Sequence, residues 1–373
     1  MTSHTSHTSH TSHTSASATA IVAGAGIWGC TLARRLAEAG RKVLVLEKRA
    51  AVGGNCRCET DPETGIEVHT YGSHIFHTKN EKVWAFVNRF VRFNDYRHCV
   101  LANHAGKIYH LPFGRTLYDE FFGKGKYELP LNDKQNAAIF DAFIKHYTAK
   151  QWGMDAEKVD PAVIKRLKVR DNYSTDYFDD PHQGIPVEGY NALFERLLDH
   201  PNIEVRCNSP FVLNQTIKQS NNQTIYYSGP IDALFDYKFG ALPWRTLRFE
   251  TEKLPVADYQ GNSVVNYPDI DVPYTRIHEF RHYHPEKKVE VEGIGRQRTI
   301  IMREFSKTWE LGDEPYYPIA NPESAALLAK YQEEAARLST STFSLDLIVG
   351  GRLGGYRYYD MDQAIAAALE LNI

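Results

Sequence analysis

The sequence predicts an α/β fold with three lobes: one built on a parallel sheet, a small helical lobe, and a lobe with an antiparallel sheet. An apolar strand, a glycine-rich turn and a helix follow one another near the N-terminus, and the same order returns near the C-terminus. Between them, residues 245–310 alternate in long polar and apolar runs, which is typical of antiparallel strands. With 373 residues the chain is long for one domain, so two or three lobes are expected.

The first lobe contains the sequence Gly24-Ala25-Gly26-Ile27-Trp28-Gly29, which has the spacing G-x-G-x-x-G. An apolar strand, Ala20–Ala23, precedes it; a helix over Thr31–Gly40 and a second strand over Lys42–Leu46, ending at Glu47, are predicted to follow. In such a turn the first glycine permits the tight bend, the second lets the backbone approach a pyrophosphate, and the third lets helix and strand pack closely. The helix N-terminus then faces the phosphates, and the acid can accept hydrogen bonds from ribose hydroxyls. The pattern therefore predicts a Rossmann-like lobe that binds a dinucleotide, in preference to a purely structural glycine turn.

The residues after the second strand favour one dinucleotide over the others. The acid is followed by Lys48-Arg49 and then by Val52-Gly53-Gly54-Asn55, an order that resembles the flavoprotein version of this fold, in which FAD lies extended. An ordinary Gly-Gly loop is the alternative, and it is the weaker interpretation beside the first motif. We therefore predict FAD as the cofactor.

Composition argues against several functional classes. The formal net charge is −3 and there is no long basic block, which argues against nucleic acid as the main partner. No apolar run is long enough to span a bilayer, and no signal-peptide core precedes the first strand, so membrane insertion is not expected. The five cysteines are scattered, and Cys56-x-Cys58 is too tight for the usual zinc spacing, so neither a disulfide framework nor a metal site is expected. These features predict a reducing, cytoplasmic setting.

The three predicted lobes are discontinuous in sequence and are preceded by a tail. Residues 1–15 repeat Thr-Ser-His and offer no apolar side chain after Met1, so a disordered, solvated tail over residues 1–18 is preferred to a loose metal site on its histidines. The predicted divisions are residues 19–80, 200–235 and 340–373 for the FAD-binding lobe, 114–156 for the helical lobe, and 81–113, 157–199 and 236–339 for the sheet lobe. A ligand is expected in the cleft between lobes.

Further elements are predicted inside these lobes. Residues 203–229 look like additional strands closed by a Gly-Pro turn. Leu345–Val349 reads as a buried strand that runs into Gly350-Gly351-Arg352 and a helix over Met361–Leu371, an order that suits a phosphate or flavin contact. Residues 115–152 look helical, most clearly Asn136–Gln151. The apolar face of that helix must be covered by this chain or by a partner.

Two groups of side chains can carry chemistry. The segment Tyr71–Thr78 holds His74 and His77; it is either an aromatic core strand with one satisfied histidine or part of a metal site, for which no further ligand lies close by in sequence. The 22 tyrosines outnumber the 18 phenylalanines, and several lie near arginines. Tyrosine hydroxyls and the rigid guanidinium fork suit a ligand with a flat base, a sugar and a diphosphate. Half-buried packing is the alternative for any single tyrosine.

A series of ordered motifs from residue 19 to the C-terminus carries a resemblance to a known family. They are YGSHIFHT, YTAKQWG, IKR followed by DYF, QGIP, GPID, FDYKFGAL, VPYTR, GDEPYYP, and GGRL with YYDM. Together they resemble the UDP-galactopyranose mutase family of bacterial flavoenzymes. The resemblance implies FAD in the reduced form, UDP-galactose as substrate, and interconversion of the six-membered and five-membered ring forms of the sugar. It also implies a homodimer, an electron donor such as NAD(P)H or a reductase, and supply of galactofuranose to a cell-surface polysaccharide.

The resemblance also implies roles for individual residues. The cofactor would contact the glycine motif Gly24–Gly29 and Glu47, Lys48, Gly54, Asn55, His74, Ile75, Phe211, Arg352, Tyr359, Asp360 and Met361. The substrate would contact His98, Tyr147, Thr148, Trp152, Arg166, Tyr177, Phe178, Asn266, Arg276, Tyr317 and Tyr358. The catalytic roles fall to Arg166 and Arg276, which would hold the diphosphate, and to His77, which would lie against the flavin.

The resemblance implies a mechanism without net redox change. Flavin N5 in reduced FAD would attack the anomeric carbon as UDP leaves, and the arginines would stabilise the departing diphosphate. His98 stands where some members have a substrate-contacting asparagine, and the helical lobe is shorter than in the family, which predicts a weakened dimer. Two alternatives of similar fold are an FAD-dependent oxidoreductase related to amine oxidases and a non-enzymatic escort of prenylated GTPases.

Overall fold

The computed structural model of the chain describes residues 20–161, 169–213, 223–289, 297–339 and 346–373. The predicted tail and Arg166 lie outside the described residues. The strands, numbered in chain order, are β1 (Ala20–Ala23), β2 (Val43–Leu46), β3 (Cys58–Thr60), β4 (Glu67–His69), β5 (Phe76–Thr78), β6 (Val100–His104), β7 (Lys107–Leu111), β8 (His182–Gly184), β9 (Ile203–Arg206), β10 (Thr224–Tyr227), β11 (Trp244–Leu254), β12 (Val264–Asn266), β13 (Arg276–Glu279), β14 (Thr299–Thr308), β15 (Tyr317–Pro318) and β16 (Asp346–Val349). The α-helices are α1 (Ile27–Glu38), α2 (Glu81–Val87), α3 (Arg115–Phe122), α4 (Asp133–Ile139), α5 (His146–Trp152), α6 (Tyr190–Leu198), α7 (Ile231–Leu234), α8 (Pro322–Ser339), α9 (Gly351–Gly354) and α10 (Met361–Glu370).

A five-stranded parallel sheet forms the Rossmann-like part, with strand order β16-β10-β1-β2-β9. Its register pairs Ala23 with both Leu46 and Tyr227, so the carboxyl ends of β1, β2 and β10 lie at one edge. Successive side chains of a strand point to opposite faces. On one face Val22 and Val45 share a buried cluster with α1, α6 and α10, and on the other face the apolar residues of β1 and β10 pack with α8. The α/β class predicted from the sequence is confirmed.

Helix α1 begins at Ile27, inside the glycine motif, and not at Thr31 as the sequence predicts. Gly26, with an extended backbone, is its N-cap. The difference arises because Gly29 is unfavourable in a helix by propensity but is needed here for close packing. The helix also ends at Glu38, before the glycine that was expected to close it.

A second sheet of seven strands lies in the order β15-β11-β14-β13-β12-β6-β7. Its pairs are antiparallel except for β12 with β6, and the longest ladder joins β11 to β14. The antiparallel prediction for residues 245–310 is confirmed, although β6, β7 and β15 extend the sheet beyond that range. The register places Arg276 between Asn266 on one side and Glu304 on the other, so the centre of this sheet is polar.

The helical segment between residues 115 and 152 is less continuous than predicted. Helices α4 and α5 are separated by a π-helical turn over Phe140–Lys145. Ile139, Phe143 and Ile144 are buried in a cluster with residues of β6, β7 and α3. The apolar face of this segment is therefore covered by the chain itself.

The boundaries of the three lobes remain a prediction, and two helices pack outside the lobe to which they were assigned. α2 and α6 belong to ranges assigned to the sheet lobe, yet their apolar residues Val83, Phe86 and Leu193 lie in the core cluster of the parallel sheet. Among the described helices, none is long and apolar enough to cross a lipid bilayer. All five cysteines carry free thiols.

Candidate active site

A cavity of about 400 Å³ lies at the carboxyl edge of the parallel sheet. Most residues predicted to bind the cofactor line it. They are Gly24, Gly26, Ile27, Trp28, Gly29, Glu47, Lys48, Gly54, Asn55, His74, Phe211, Arg352, Tyr359, Asp360 and Met361. Two predicted residues do not line it: Ala25 is fully buried, and Ile75 packs against the hydrophobic core.

The glycine turn leaves space for a ligand at one position only. At Gly24 φ is +104°, and at Gly29 an added Cβ would lie 2.0 Å from the carbonyl oxygen of Gly24, so both glycines are required by the protein itself. At Gly26 an added Cβ would meet nothing nearer than Gly54 Cα at 3.9 Å. No side chain caps the N-terminus of α1, so the N–H groups of its first turn can face an anion. This geometry fits a dinucleotide pyrophosphate.

Glu47 and Arg49 fix the wall of the cavity at the end of β2. The buried Glu47 carboxylate accepts hydrogen bonds from the backbone N–H groups of Ala25 and Arg49, each at 2.8 Å. Arg49 pairs with Glu314 at 2.7 Å. Burial would lower the pKa of the Arg49 guanidinium, but the charge of Glu314 raises it, so the group stays charged. Arg49 and Glu314 were not among the predicted site residues, although both lie inside motifs quoted from the sequence.

A second glycine turn also lines the cavity. Gly351 has φ of +73° at the start of α9. The next residue, Arg352, donates a hydrogen bond to the Tyr359 carbonyl at 2.5 Å, and its guanidinium carbon lies 4.8 Å from the centroid of the Tyr358 ring. Asp360 is the N-cap of α10 in a capping box, so this predicted cofactor contact also has a structural role.

A group of the predicted substrate residues surrounds the guanidinium of Arg276, the first residue of β13. The guanidinium donates a hydrogen bond to the Tyr147 hydroxyl, and its Nε lies 3.3 Å from Glu304 Oε1. Burial alone would raise the pKa of Glu304, but the charge of Arg276 and then the hydrogen bond from His278 lower it to about 2. The pair is therefore ionised, and the arginine keeps donors for a further anion.

Three tyrosines lie near the same guanidinium. Tyr147, Tyr317 and Tyr177 each interact electrostatically with Arg276. The Tyr317 ring stacks on Tyr358 with centroids 5.9 Å apart. Burial raises the pKa of Tyr147, Tyr317 and Tyr358, so these hydroxyls stay protonated and can donate hydrogen bonds. Because Tyr358 also packs under Arg352, which lines the cavity, the two groups of residues are adjacent parts of one cleft.

Two of the predicted histidines, His77 and His98, lie beside Phe178. His77 Nδ1 lies 2.6 Å from Asp180 Oδ2. A carboxylate only accepts, so Nδ1 donates the proton in this hydrogen bond. Phe178 stacks on His77 with centroids 3.6 Å apart and on His98 at 5.4 Å. Burial, and then the charge of Arg276, lower the pKa of His98 to about 3, so this ring is neutral.

The remaining predicted residues are distributed around this cleft. Trp152 ends α5 with 44% of its surface exposed, and Thr148 is half-buried one turn earlier. Asn266 is the register partner of Arg276, and its Oδ1 is buried without a hydrogen-bond partner in the described residues. An acceptor in that position can serve a ligand donor.

Sequence reasoning missed two cationic side chains that bind backbone carbonyls around the cleft. Lys150 links α5 to the loop between β12 and β13. Its Nζ donates to the carbonyl oxygens of Tyr267, Asp269, Val272 and Tyr274 at 2.6 to 3.1 Å. Arg170 donates to the carbonyl oxygens of Asp176 and Tyr177. Backbone acceptors have no sequence signal, so only the structure could reveal these contacts.

One buried cluster outside the cleft has side chains of the metal-binding types. Cys58, Glu67 and His69 place candidate ligand atoms within 4.8 Å of one another. However, His69 Nδ1 accepts a hydrogen bond from the backbone N–H of His74 at 3.0 Å. Burial lowers the pKa of His69 to about 3, so the neutral ring carries its proton on Nε2. Neither nitrogen then offers a free lone pair, which argues against a metal at this cluster.

The chain matches two family models and several named proteins. The family model described as UDP-galactopyranose mutase matches residues 142–358, and the model described as NAD(P)-binding Rossmann-like domain matches residues 22–90. A dTDP-fucopyranose mutase from Escherichia coli is 36% identical over 94% of this chain and 96% of that protein. A probable UDP-galactopyranose mutase from Klebsiella pneumoniae is 37% identical over 94% of this chain and 92% of that protein. The chain belongs to the UDP-galactopyranose mutase family. The resemblance seen in the sequence and the assignment to an enzyme of this family are confirmed.

Solved structures show how widely the fold is shared. A crystal structure of reduced UDP-galactopyranose mutase matches with a TM-score of 0.66 and 15% identity, over 95% of this chain and 94% of that one. A putative protoporphyrinogen oxidase from Exiguobacterium matches with a TM-score of 0.58 and 11% identity, over 94% and 97% of the two chains. At such identities the matches show the fold alone. The fold by itself therefore does not separate an isomerase from an oxidoreductase.

Proposed function

We propose that the chain is an FAD-dependent mutase that interconverts UDP-galactopyranose and UDP-galactofuranose. The observation that carries the proposal is the position of Arg276 among its tyrosines, one of which, Tyr317, stacks on Tyr358 and so connects this group to Arg352 in the cavity of the Rossmann-like part. A guanidinium with protonated hydroxyls around it suits a diphosphate. An oxidase of the same fold would need an apolar substrate cage in this place.

The cofactor proposed for the cavity is FAD, active in its reduced form. The open position at Gly26, the uncapped start of α1 and the turn at Gly351 support a pyrophosphate and a flavin there. When bound, reduced FAD would supply nucleophilic catalysis through its N5 nitrogen at the anomeric carbon of the sugar, and the residues around Gly26 and Gly351 would hold it in place.

The side chains of the cleft would control the charge of the leaving diphosphate. Negative charge grows on it in the transition state, where Arg276 can stabilise it. Tyr147 and Tyr317 would add neutral donors. Arg166 lies outside the described residues, so its proposed role rests on the family resemblance. His77, held in one tautomer by Asp180, is proposed to lie against the flavin.

A second candidate substrate is dTDP-fucopyranose. The relative named for that substrate and the relative named for UDP-galactopyranose are almost equally similar to this chain, at 36% and 37% identity. The two substrates share the diphosphate, which is the part that the Arg276 cluster suits. They differ in the base, in the ribose 2′-hydroxyl and in the hydroxyl on sugar C6.

One assay tests both substrates and the role of the flavin. The purified chain is reduced with dithionite and incubated with UDP-galactofuranose or with dTDP-fucofuranose, and the products are separated by chromatography. We expect conversion of the UDP sugar by the reduced form, almost none by the oxidised form, and no stoichiometric loss of reductant. Conversion of the dTDP sugar alone would reassign the substrate. Equal activity of both redox forms would contradict the N5 mechanism, and stoichiometric consumption of reductant would favour the oxidoreductase alternative.

The cellular setting is proposed on the same basis. NAD(P)H or a reductase would supply the electrons in the cytoplasm, and the galactofuranose would enter a cell-surface polysaccharide.

We also propose a homodimer weaker than is usual for the family, although the apolar face of α4 and α5 cannot form it, because the chain covers that face. Light scattering over a concentration series should show dissociation on dilution; a dimer that persists at low micromolar concentration would contradict this.

A further inference from the structure

A chain of buried hydrogen bonds runs from Glu304 to the loop that carries Ser73. His278 Nε2 lies 3.1 Å from Glu304 Oε2, and His278 Nδ1 lies 2.6 Å from Ser73 Oγ. The Tyr283 hydroxyl donates to the same Ser73 oxygen. Glu304, His278 and Tyr283 are buried, with 2%, 1% and 0% of their surfaces exposed. These contacts form a continuous polar relay through the buried, polar centre of the antiparallel sheet.

The chemistry of the relay allows one arrangement of protons. The Glu304 carboxylate only accepts, so His278 must donate from Nε2. Burial lowers the pKa of His278 even though Glu304 opposes that effect, so the ring is neutral and Nδ1 is an acceptor. Ser73 then donates to Nδ1 and accepts from Tyr283. Each donor in the relay has an acceptor, which is the condition under which a buried polar network fixes a geometry.

The relay ends on the carboxylate that faces Arg276. Glu304 Oε1 pairs with the arginine Nε at 3.3 Å, while Oε2 is held by His278. Arg276 and His278 are two residues apart on β13, so their side chains lie on the same face of the sheet. Glu304 on β14 is the cross-strand partner of Arg276. The terminal torsion of a glutamate is broad. Oε1 also accepts from the Thr275 hydroxyl at 3.3 Å, so without a donor on Oε2 the carboxylate is held through one oxygen only and its position beside the guanidinium is less well defined.

We propose that His278 is a positioning residue for the reaction: it fixes Glu304 so that Arg276 presents its guanidinium to the substrate diphosphate. Through Ser73, the same relay joins that guanidinium to the loop whose next residue, His74, lines the cofactor cavity. This inference rests on the proposed function for its kinetic consequence, but the proton arrangement can be measured independently.

The kinetic test compares two replacements of His278. In His278→Leu, Glu304 loses a donor, and we expect kcat/KM to fall by about 10- to 100-fold, the range for a hydrogen bond to a charged group. In His278→Gln the amide nitrogen can donate to Glu304 and the amide oxygen can accept from Ser73, so most of the activity should return. His110→Leu is the matched control, because it removes a histidine bonded to a carboxylate, Glu120, on the far strand β7. FAD absorbance and thermal unfolding show whether each variant is folded.

The outcomes separate the relay from the proposed function. Normal kcat/KM in folded His278→Leu, or a His278→Gln variant no better than His278→Leu, would overturn the positioning role. The second measurement is nitrogen NMR on the FAD-bound chain labelled at histidine, with His278→Gln identifying the signals. We expect protonation on Nε2 alone, and a change in the Nδ1 signal in Ser73→Ala. If neither sugar nucleotide is turned over, the proposed function fails, and a proton on Nδ1 would still overturn the relay independently.

Discussion

Replacing Arg276 with alanine should damage turnover and stability by two separable routes. The guanidinium faces the cleft, where it can meet a growing negative charge, and losing such a contact costs about 2.7 to 4 kcal/mol, or roughly a hundredfold to a thousandfold in rate. It also neutralises the buried Glu304. The pKa of that carboxyl falls from 4.5 to about 2, with Arg276 as the main lowering influence. At about 1.4 kcal/mol per pH unit, this difference corresponds to roughly 3 kcal/mol of folding free energy.

A second substitution distinguishes the two routes. In Arg276→Ala the carboxylate stays buried without its partner, and such losses cost about 3 to 5 kcal/mol. Adding Glu304→Gln removes the stranded charge, so the double variant should recover most of the free energy of unfolding measured in urea. It should not recover kcat/KM with the dithionite-reduced enzyme. Arg276→Lys should recover only part of the activity, because the guanidinium fork is lost.

The pH dependence gives an internal check on the sign. The folded pKa of Glu304 is depressed, so its contribution is fully present above the ordinary value of 4.5 and is lost as pH falls toward about 2. The Glu304→Gln variants should lack this component of acid destabilisation. Arg276→Ala with near-normal kcat/KM, or a double variant that regains turnover, would refute the reasoning about the diphosphate.

Three further predictions concern the cofactor turn, the tryptophan and acid stability. Gly26→Ala should keep the free energy of unfolding of the apoprotein but lose FAD absorbance. Gly29→Ala should instead lower stability by about 1 to 3 kcal/mol, because its Cβ would lie 2.0 Å from a carbonyl oxygen. Equal FAD content in wild type and Gly26→Ala would contradict the assigned pyrophosphate position. Trp152 is exposed at the end of α5, so UDP should change the intrinsic fluorescence and Trp152→Phe should abolish that change; a retained response would move the signal to another tryptophan. Burial lowers the pKa of both His69 and His98 from 6.5 to about 3. Both residues therefore contribute stability above pH 6.5 that is lost as the pH falls toward 3. Replacing either with glutamine should weaken the pH dependence of the free energy of unfolding, measured in urea, between these two values.

The Rossmann-like part could be predicted closely because its signals are local. The order of β1, the glycine turn, α1 and β2 follows from residues that are adjacent in sequence, as do β16 and α10. The predicted start of α1 was wrong for a reason that is also local. The helix begins earlier because it includes Gly29, which has a low helix propensity but is needed for close contact with Gly24. The interruption of α4 and α5 by a π-helical turn has no sequence signal.

The substrate side of the cleft could be predicted only through the family resemblance. Arg276 and Tyr147 are far apart in sequence, and only the packing of α5 on β14, the strand next to β13, brings them into contact. The same holds for Glu304, His278 and Ser73, whose importance depends on cross-strand register. Propensity and periodicity describe one element at a time, so contacts between distant elements are beyond them.

The energetic cost of this polar centre is itself an argument about function. A central sheet position filled by apolar side chains would be at least as stable as one filled by Arg276 and Glu304, because burying two charges incurs a desolvation penalty that their attraction does not always offset. The sheet nevertheless keeps the pair and surrounds it with His278 and tyrosine hydroxyls, next to the cofactor cavity. Since the fold is shared with a protein named as an oxidase, the parallel sheet cannot be what selects the reaction. We propose that the selecting feature is the charge that the antiparallel sheet places near the cavity, since a fixed guanidinium there is useful to a ligand that carries an anion.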